Sequence, residues 1–376
     1  MITVVQEGDL FSSKAQTWVN TVNTVGVMGK GIALGFKRRF PEMFEDYADR
    51  CRRKGVRLGE PYLFRRQEPP WIINFPTKSH WRTVTRLTDI IEGLEYLEAH
   101  FREWGIESMA VPPLGCGEGG LEWRVVGPTL YIHLKTFAIP VELYAPFGTP
   151  YDELRASHLE QLALDLDNDD ASTPPSRVPI PWLALVEILH RLSAQPYRPP
   201  VGRISWQKVA YFATRAGIPT GLQYERGSYG PHSPDVKPMN SKLVNNGLIS
   251  EVESGRMIRI LVGPTFDRVR EAYSRELERW NEAIDRVTDL MVRMNTRRAE
   301  IAATVMYTAD VLQQRLQRRP TEAEVVDSVQ LWKQRRKPPI EEPEIAEAVR
   351  SLGVLGWLAL EPTADLLVEI DEFIDV

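Results

Sequence analysis

Cysteine is almost missing from this chain of 376 residues: only Cys51 and Cys116 are present. Two thiols exclude a disulfide framework and point to a reducing compartment. Long apolar runs are missing too. No stretch approaches about 18 uninterrupted apolar residues, which excludes a membrane-spanning helix. The opening residues Met1-Ile2-Thr3-Val4-Val5-Gln6-Glu7 lack the basic start and apolar core of a secretory signal. A cytoplasmic protein with no membrane partner is therefore expected. Strong net charge is also lacking, at -5, but the balance conceals blocks. Residues 1–150 carry +1, 151–170 carry -6, 171–337 carry +9 and 338–376 carry -9. Such blocks bear on partners rather than on fold.

What is present in residues 1–150 is alternation. Strand-like runs at 2–6, 17–20, 62–65, 71–75, 108–112 and 141–145 are interleaved with helix-like runs at 32–40, 41–54, 87–104 and 123–137. In the third of these helices Leu87, Ile90, Ile91, Leu94, Leu97, Phe101 and Trp104 share one face at helical spacing. The pattern predicts an α/β sandwich with a mainly parallel sheet. Ligands of such sheets sit beyond the carboxyl ends of the strands, so the loops after Asn20, Phe75 and Pro112 are the places to inspect.

The first of these loops carries Asn20 and Asn23, then Gly26, Gly29, Lys30 and Gly31, and runs into the helix from Ile32 and Ala33. Glycines ahead of a helix allow close backbone approach, and the unpaired N–H groups there favour an anion. Asparagine amides can both donate to and accept from sugar hydroxyls. The loop after Pro112 holds Leu114, Gly115, Cys116, Gly117, Glu118, Gly119 and Gly120 ahead of a helix, a second cradle of backbone N–H groups for phosphate. Cys116 has no cysteine or histidine at metal-ligand spacing, so no metal is expected there. Between the two cradles, Thr77 and Lys78 leave the end of a strand beside Ser79 and His80. A lysine so placed can pair with phosphate, act as a nucleophile, or serve as an electrostatic catalyst. Each loop taken alone also fits an ordinary turn with a surface lysine.

Together these residues resemble the macrodomains, the three-layer α/β/α fold that binds ADP-ribose. The resemblance rests on Gly8-Asp9-Leu10, on Val19 to Asn23, on Gly29 to Ala33 and on the loop 114–120. It implies that Asp9 holds the adenine amine and that Asn23 lies at the distal ribose with Asn20, which is counted with Lys78 among the catalytic residues. The two glycine loops, Leu10 and Thr77 would complete the site. Asn74-Phe75-Pro76-Thr77-Lys78 with Gly115-Cys116-Gly117 is similar to the branch that cleaves the glycosidic bond with a lysine, here Lys78. The human member of that branch carries an aspartate where this chain has Gly119, which shifts the weight to Lys78 alone, with Glu118, one position away, as the weaker candidate to substitute.

Beyond residue 155 the composition changes. Residues 156–178 are acidic, then rich in Asp, Ser and Pro, and read as a helix tail and a linker. From 179 the pattern becomes helical, with runs at 182–193 and 205–216, a turn-rich stretch at 224–234, and a β-like run at 257–262. Gln207 to Phe212 and Tyr229-Gly230-Pro231 resemble the Panacea domain, and residues 243–262 suit a winged-helix-like layout. From Phe266 a stripe of Val269, Tyr273, Leu277, Trp280, Ile284, Val287, Met291 and Met294 predicts a long helical face. The +9 block could meet nucleic acid or solvent, whereas Trp182, Trp206, Tyr211 and Phe212 fall at core spacing.

A lysine-branch macrodomain (1–155) followed by a Panacea-like region (179–376) is similar in arrangement to the DarG-type antitoxins. That resemblance implies a hydrolase that removes ADP-ribose from thymine in single-stranded DNA, with ADP-ribose as product and no cofactor. It also implies a C-terminal region that binds a DarT-type ADP-ribosyltransferase toxin. Two other readings stay open: a reader of ADP-ribose without turnover, and a pure toxin-binding protein. The acidic end, with Leu355, Trp357, Leu366 and Phe373, would either cover the toxin's DNA cleft or pack against the basic block of its own chain.

Overall fold

The computed structural model describes residues 1–167, 178–196, 200–255 and 257–363. The expected linker from 168 onward, and the anchors Leu366 and Phe373, lie outside the described residues. The chain divides into two compact units, residues 1–177 with 237–253, and residues 178–236 with 254–376.

The first unit is built on a six-stranded sheet. Its strands are β1 (Ile2–Val5), β2 (Thr17–Asn23), β3 (Tyr62–Phe64), β4 (Trp71–Lys78), β5 (Met109–Val111) and β6 (Val141–Tyr144), in the order β1-β6-β5-β2-β4-β3. All neighbours are parallel except the edge strand β3. Alternation along each strand shows why helices cover both faces. Trp18, Val22, Ile72, Ala110 and Tyr144 enter one apolar cluster, with Phe36 and Phe40 near α1 (Gly31–Arg39) and Met43 and Tyr47 of α2 (Pro41–Arg52). Val19, Ile73, Phe75, Met109, Val111 and Leu143 enter the other, with α3 (Leu87–His100) and α4 (Trp123–Lys135). The mixed, mainly parallel α/β/α sandwich read from the sequence is the one observed.

Three boundaries differ from the sequence reading. Strand β2 continues to Asn23 and β4 to Lys78, because the two central strands pair along their whole length, with a bulge between Val22 and Asn23. Thr77 and Lys78 thus lie on a strand rather than in a loop. Helix α5 (Ala156–Asp167) is packed rather than a linker, since Leu159 is buried in the core of the first unit. Residues 237–253 also group with this unit. There, Asn245 Oδ1 accepts from Leu87 N at 2.6 Å, its amide donates to Thr85 O, and Glu251 Oε2 accepts from Val84 N at 3.0 Å.

The second unit is mostly helical, as expected. Helices Ile180–Ser193, Arg203–Arg215 and Thr296–Leu316 carry its core, in which Trp206, Tyr211 and Phe212 are buried. The turn-rich stretch is a hairpin of Glu225–Gly227 and Gly230–His232. The long stripe from Phe266 is three helices, Phe266–Ala272, Ser274–Glu278 and Asn281–Val292, because the backbone leaves the helical region at Tyr273 and Trp280. Part of the basic excess is internal. Buried Glu300 accepts from Lys333 Nζ at 2.9 Å and from Arg336 Nε at 3.2 Å. Lys208 donates to Pro231 O at 2.7 Å, and burial pushes its amine down to about 7. Trp357, at the acidic end, is buried against Phe212.

Candidate active site

Parallel pairing brings the carboxyl ends of β2, β4 and β5 to one end of the sheet, and with them both glycine loops. Asn23 stands opposite Lys78 in register. Helix α1 begins immediately after the first loop with Lys30 at its N-cap, without a side-chain cap and without an acidic residue in its first turn. Its first N–H groups therefore keep their demand for an anion. A Cβ on Gly31 would meet nothing within 4 Å, and one on Gly29 only Val27 at 3.9 Å, so the loop faces open space there.

The second loop folds on itself through Cys116 N to Pro113 O, Gly120 N to Gly117 O and Leu121 N to Gly115 O. Its glycines are not equivalent. Gly117 is exposed and a Cβ there would meet nothing within 4 Å. Gly119 is buried, and a Cβ on it would stand 2.3 Å from both Gly115 O and Thr85 Oγ1. A side chain at 119 would therefore collide with the loop's own backbone.

Lys78 lies between the loops, 9% exposed, and its ammonium donates to Glu118 O at 2.6 Å and to Trp81 O at 3.4 Å. Thr24 N and Thr24 Oγ1 donate to Lys78 O and Ser79 O at 3.1 and 2.6 Å, which ties the first loop to the end of β4. One cation therefore touches the second loop while its backbone holds the first.

Residues 19–130 match the Macro domain family. The first unit is a macrodomain. The chain is 35% identical over 240 residues to the DNA ADP-ribosyl glycohydrolase of Thermus aquaticus, covering 63% of this chain and 61% of that protein. It is 37% identical over 236 residues to the protein of the same name from Mycobacterium tuberculosis, covering 61% and 64%. It is 40% identical over 169 residues to a DNA ADP-ribosyl transferase–DNA ADP-ribosyl glycohydrolase fusion protein of Thermosipho africanus, covering 40% and 44%. The chain thus spans between 44% and 64% of the length of these relatives. Among solved structures, the macrodomain of Mycobacterium tuberculosis DarG is 46% identical, covers 39% of this chain and 98% of that one, and has a TM-score of 0.37.

Several residues expected at the ligand also make contacts within the frame of the first unit. Asn20 is fully buried and donates to Asn74 Oδ1 at 2.9 Å. Asn23 Oδ1 accepts from Val25 N and Val27 N, and its amide donates to Val27 O at 2.6 Å, so it shapes the first loop. Thr77 donates to Val22 O across the central strand pair. Leu10 and Leu114 are core side chains. Ile32 and Ala33 pack partly against the core. Asp9 is exposed and caps the short helix Leu10–Ser12, with Oδ1 accepting from Phe11 N at 3.0 Å.

The electrostatics single out Glu118. Its carboxyl is held below the usual range by Lys237, which donates to Oε2 at 3.2 Å, with Lys30 and Lys78 adding to the effect. Burial pushes the Cys116 thiol up to about 12, so it is a neutral packing group and not a nucleophile. Among the described residues no cluster of three or more His, Cys, Asp or Glu could hold a metal, and no helix is long and apolar enough to cross a membrane.

Sequence reasoning missed two aromatic side chains. Phe147, in the loop after β6, is 91% exposed at the same end of the sheet, and Trp81 follows Lys78 by three residues. The signal for Phe147 was an aromatic between proline and glycine directly after an apolar strand.

Proposed function

We propose that the macrodomain is a DNA ADP-ribosyl glycohydrolase that removes ADP-ribose from thymine bases in single-stranded DNA. The observation that carries this is the position of Lys78, a nearly buried ammonium at the end of the central strand pair, in contact with both glycine loops. The cradles at Gly29 to Ala33 and at Gly117 take the pyrophosphate, which leaves the distal ribose and its anomeric carbon toward Lys78. Water is the co-substrate: the bond from C1″ to the base breaks, a C1″–oxygen bond forms, and the base leaves with a proton. Lys78 serves either by stabilising charge on the leaving base or by capturing the ring-opened sugar as a Schiff base. A second acid at position 119 is sterically barred, and Glu118 is engaged by Lys237, so the chemistry rests on Lys78.

We further propose that the helical unit binds a DarT-type ADP-ribosyltransferase and that the whole chain acts as its antitoxin. The matches of 236 and 240 residues support this, being longer than the 177-residue continuous part of the first unit. The similarity to a transferase–glycohydrolase fusion protein points the same way.

The test is incubation of the full chain with a single-stranded oligonucleotide bearing ADP-ribose on thymine. Release of unmodified strand is expected, with turnover abolished in Lys78→Ala while ADP-ribose affinity stays within about tenfold. Binding of ADP-ribose without strand release would make the protein a reader. Borohydride trapping of ADP-ribose on Lys78, with the unmodified strand released, would select the Schiff-base route.

A further inference from the structure

Trp81 is 45% exposed, an unusual state for an indole, although it stands three residues after Lys78 and its carbonyl accepts from that ammonium. The turn that carries it is firmly made. Thr83 Oγ1 donates to His80 O at 2.8 Å, and Arg82 N donates to His80 Nδ1 at 3.1 Å. The Arg82 guanidinium lies 4.4 Å over the indole, and the His80 ring is 5.3 Å away. Val25 and Val27 of the first loop are also exposed, and that loop is held against the same turn through Thr24 and Ser79. Lys30, Lys78 and Lys237 all act on Glu118 at this rim.

An ADP-ribose in the cradle does not call for these features, because its charged centre is met by the glycine loops. An exposed indole backed by a guanidinium, three residues after Lys78, suits a different ligand, a single nucleic-acid strand. Bases stack on the aromatic surface whatever their identity, and the cations take the phosphates.

We propose that Trp81 is a substrate-binding residue that stacks on a base of the strand carrying the ADP-ribose and so holds that strand beside Lys78. The proposal rests on the glycohydrolase reading and names the part of the substrate which that reading leaves without a partner. A stack made equally in the ground state and in the transition state changes KM and not kcat.

The experiment compares full-length wild type, Trp81→Ala and Trp81→Phe on the ADP-ribosylated oligonucleotide, with ADP-ribose binding measured by calorimetry. Trp81→Ala is expected to raise KM about 5- to 100-fold, the range of one base–aromatic stack. Its kcat and its ADP-ribose affinity should stay within about twofold, and Trp81→Phe should recover most of the loss. An unchanged KM, or an equal loss of ADP-ribose affinity, would overturn the proposal. So would a fall in kcat alone, which would mean that Trp81 acts by positioning Lys78. If wild type releases no ADP-ribose, the glycohydrolase reading fails by itself. Affinity for unmodified single strand, compared between wild type and Trp81→Ala, then decides the stacking proposal.

Discussion

The two glycine loops reach the same end of the same sheet with similar composition, yet they use glycine for different reasons. In the first, Gly29 and Gly31 face open space, and Gly31 also needs glycine for its φ of +56°. In the second, Gly117 faces open space, whereas Gly115 and Gly119 are buried and have no room for a Cβ. The same residue type thus makes room for a ligand at some positions and for the chain itself at others. Counting glycines cannot separate these roles, but the direction of the absent Cβ can.

The largest effect that would test this contrast is at Gly119. Gly119→Glu should disrupt the second loop itself, at a cost of about 1–3 kcal/mol or more for forcing atoms into packed space. Thermal melting should show a clear loss of stability together with loss of ADP-ribose binding. A variant that melts like wild type would erase the distinction between the two kinds of glycine. Gly117→Val sharpens it from the other side. Its melting temperature should stay close to wild type while calorimetry shows at least about a tenfold loss of ADP-ribose affinity, or about 1.4 kcal/mol. Normal affinity in that variant would mean that the open space at 117 is not a cradle.

Glu118→Gln, between these glycines, should matter much less. Its carboxylate is half exposed and its pair with Lys237 is a surface contact, worth about 0–1 kcal/mol. Since Lys78 is held by the backbone oxygen of Glu118 and not by its carboxylate, turnover should change by less than about fivefold. A collapse of activity would assign the carboxylate a chemical role after all. The smallest effect is on Cys116. With its thiol pushed up to about 12 by burial, it should resist alkylation at pH 8 in the folded protein and react only on unfolding, as read by mass spectrometry.

The sheet, its helices and the two loops were legible because alternation of apolar residues and glycine ahead of a helix are local signals. The extent of β2 and β4 was not, since those strands are lengthened by pairing with each other. The same limit applies to the asparagines. Residue type marks Asn20 and Asn23 as polar near a turn, but only the fold shows that Asn74 takes one amide and the backbone of Val25 and Val27 takes the other. Lys78 was legible through its motif, yet its bond to Glu118 O joins residues 40 positions apart. Trp81 carried no signal, because exposure of a tryptophan cannot be read from sequence.

The clasp at residues 237–253 has a consequence for how this protein is made. Leu87 N and Val84 N at the start of α3 find their acceptors in Asn245 and Glu251, about 160 positions later in the chain. Synthesis runs at roughly 5–20 residues per second, so this part of the nascent chain waits on the order of ten seconds for its partners. These bonds therefore form only after about 160 further residues have been made. Two N–H groups at the start of α3 meet these acceptors only once a segment lying beyond two helices of the second unit in sequence has emerged.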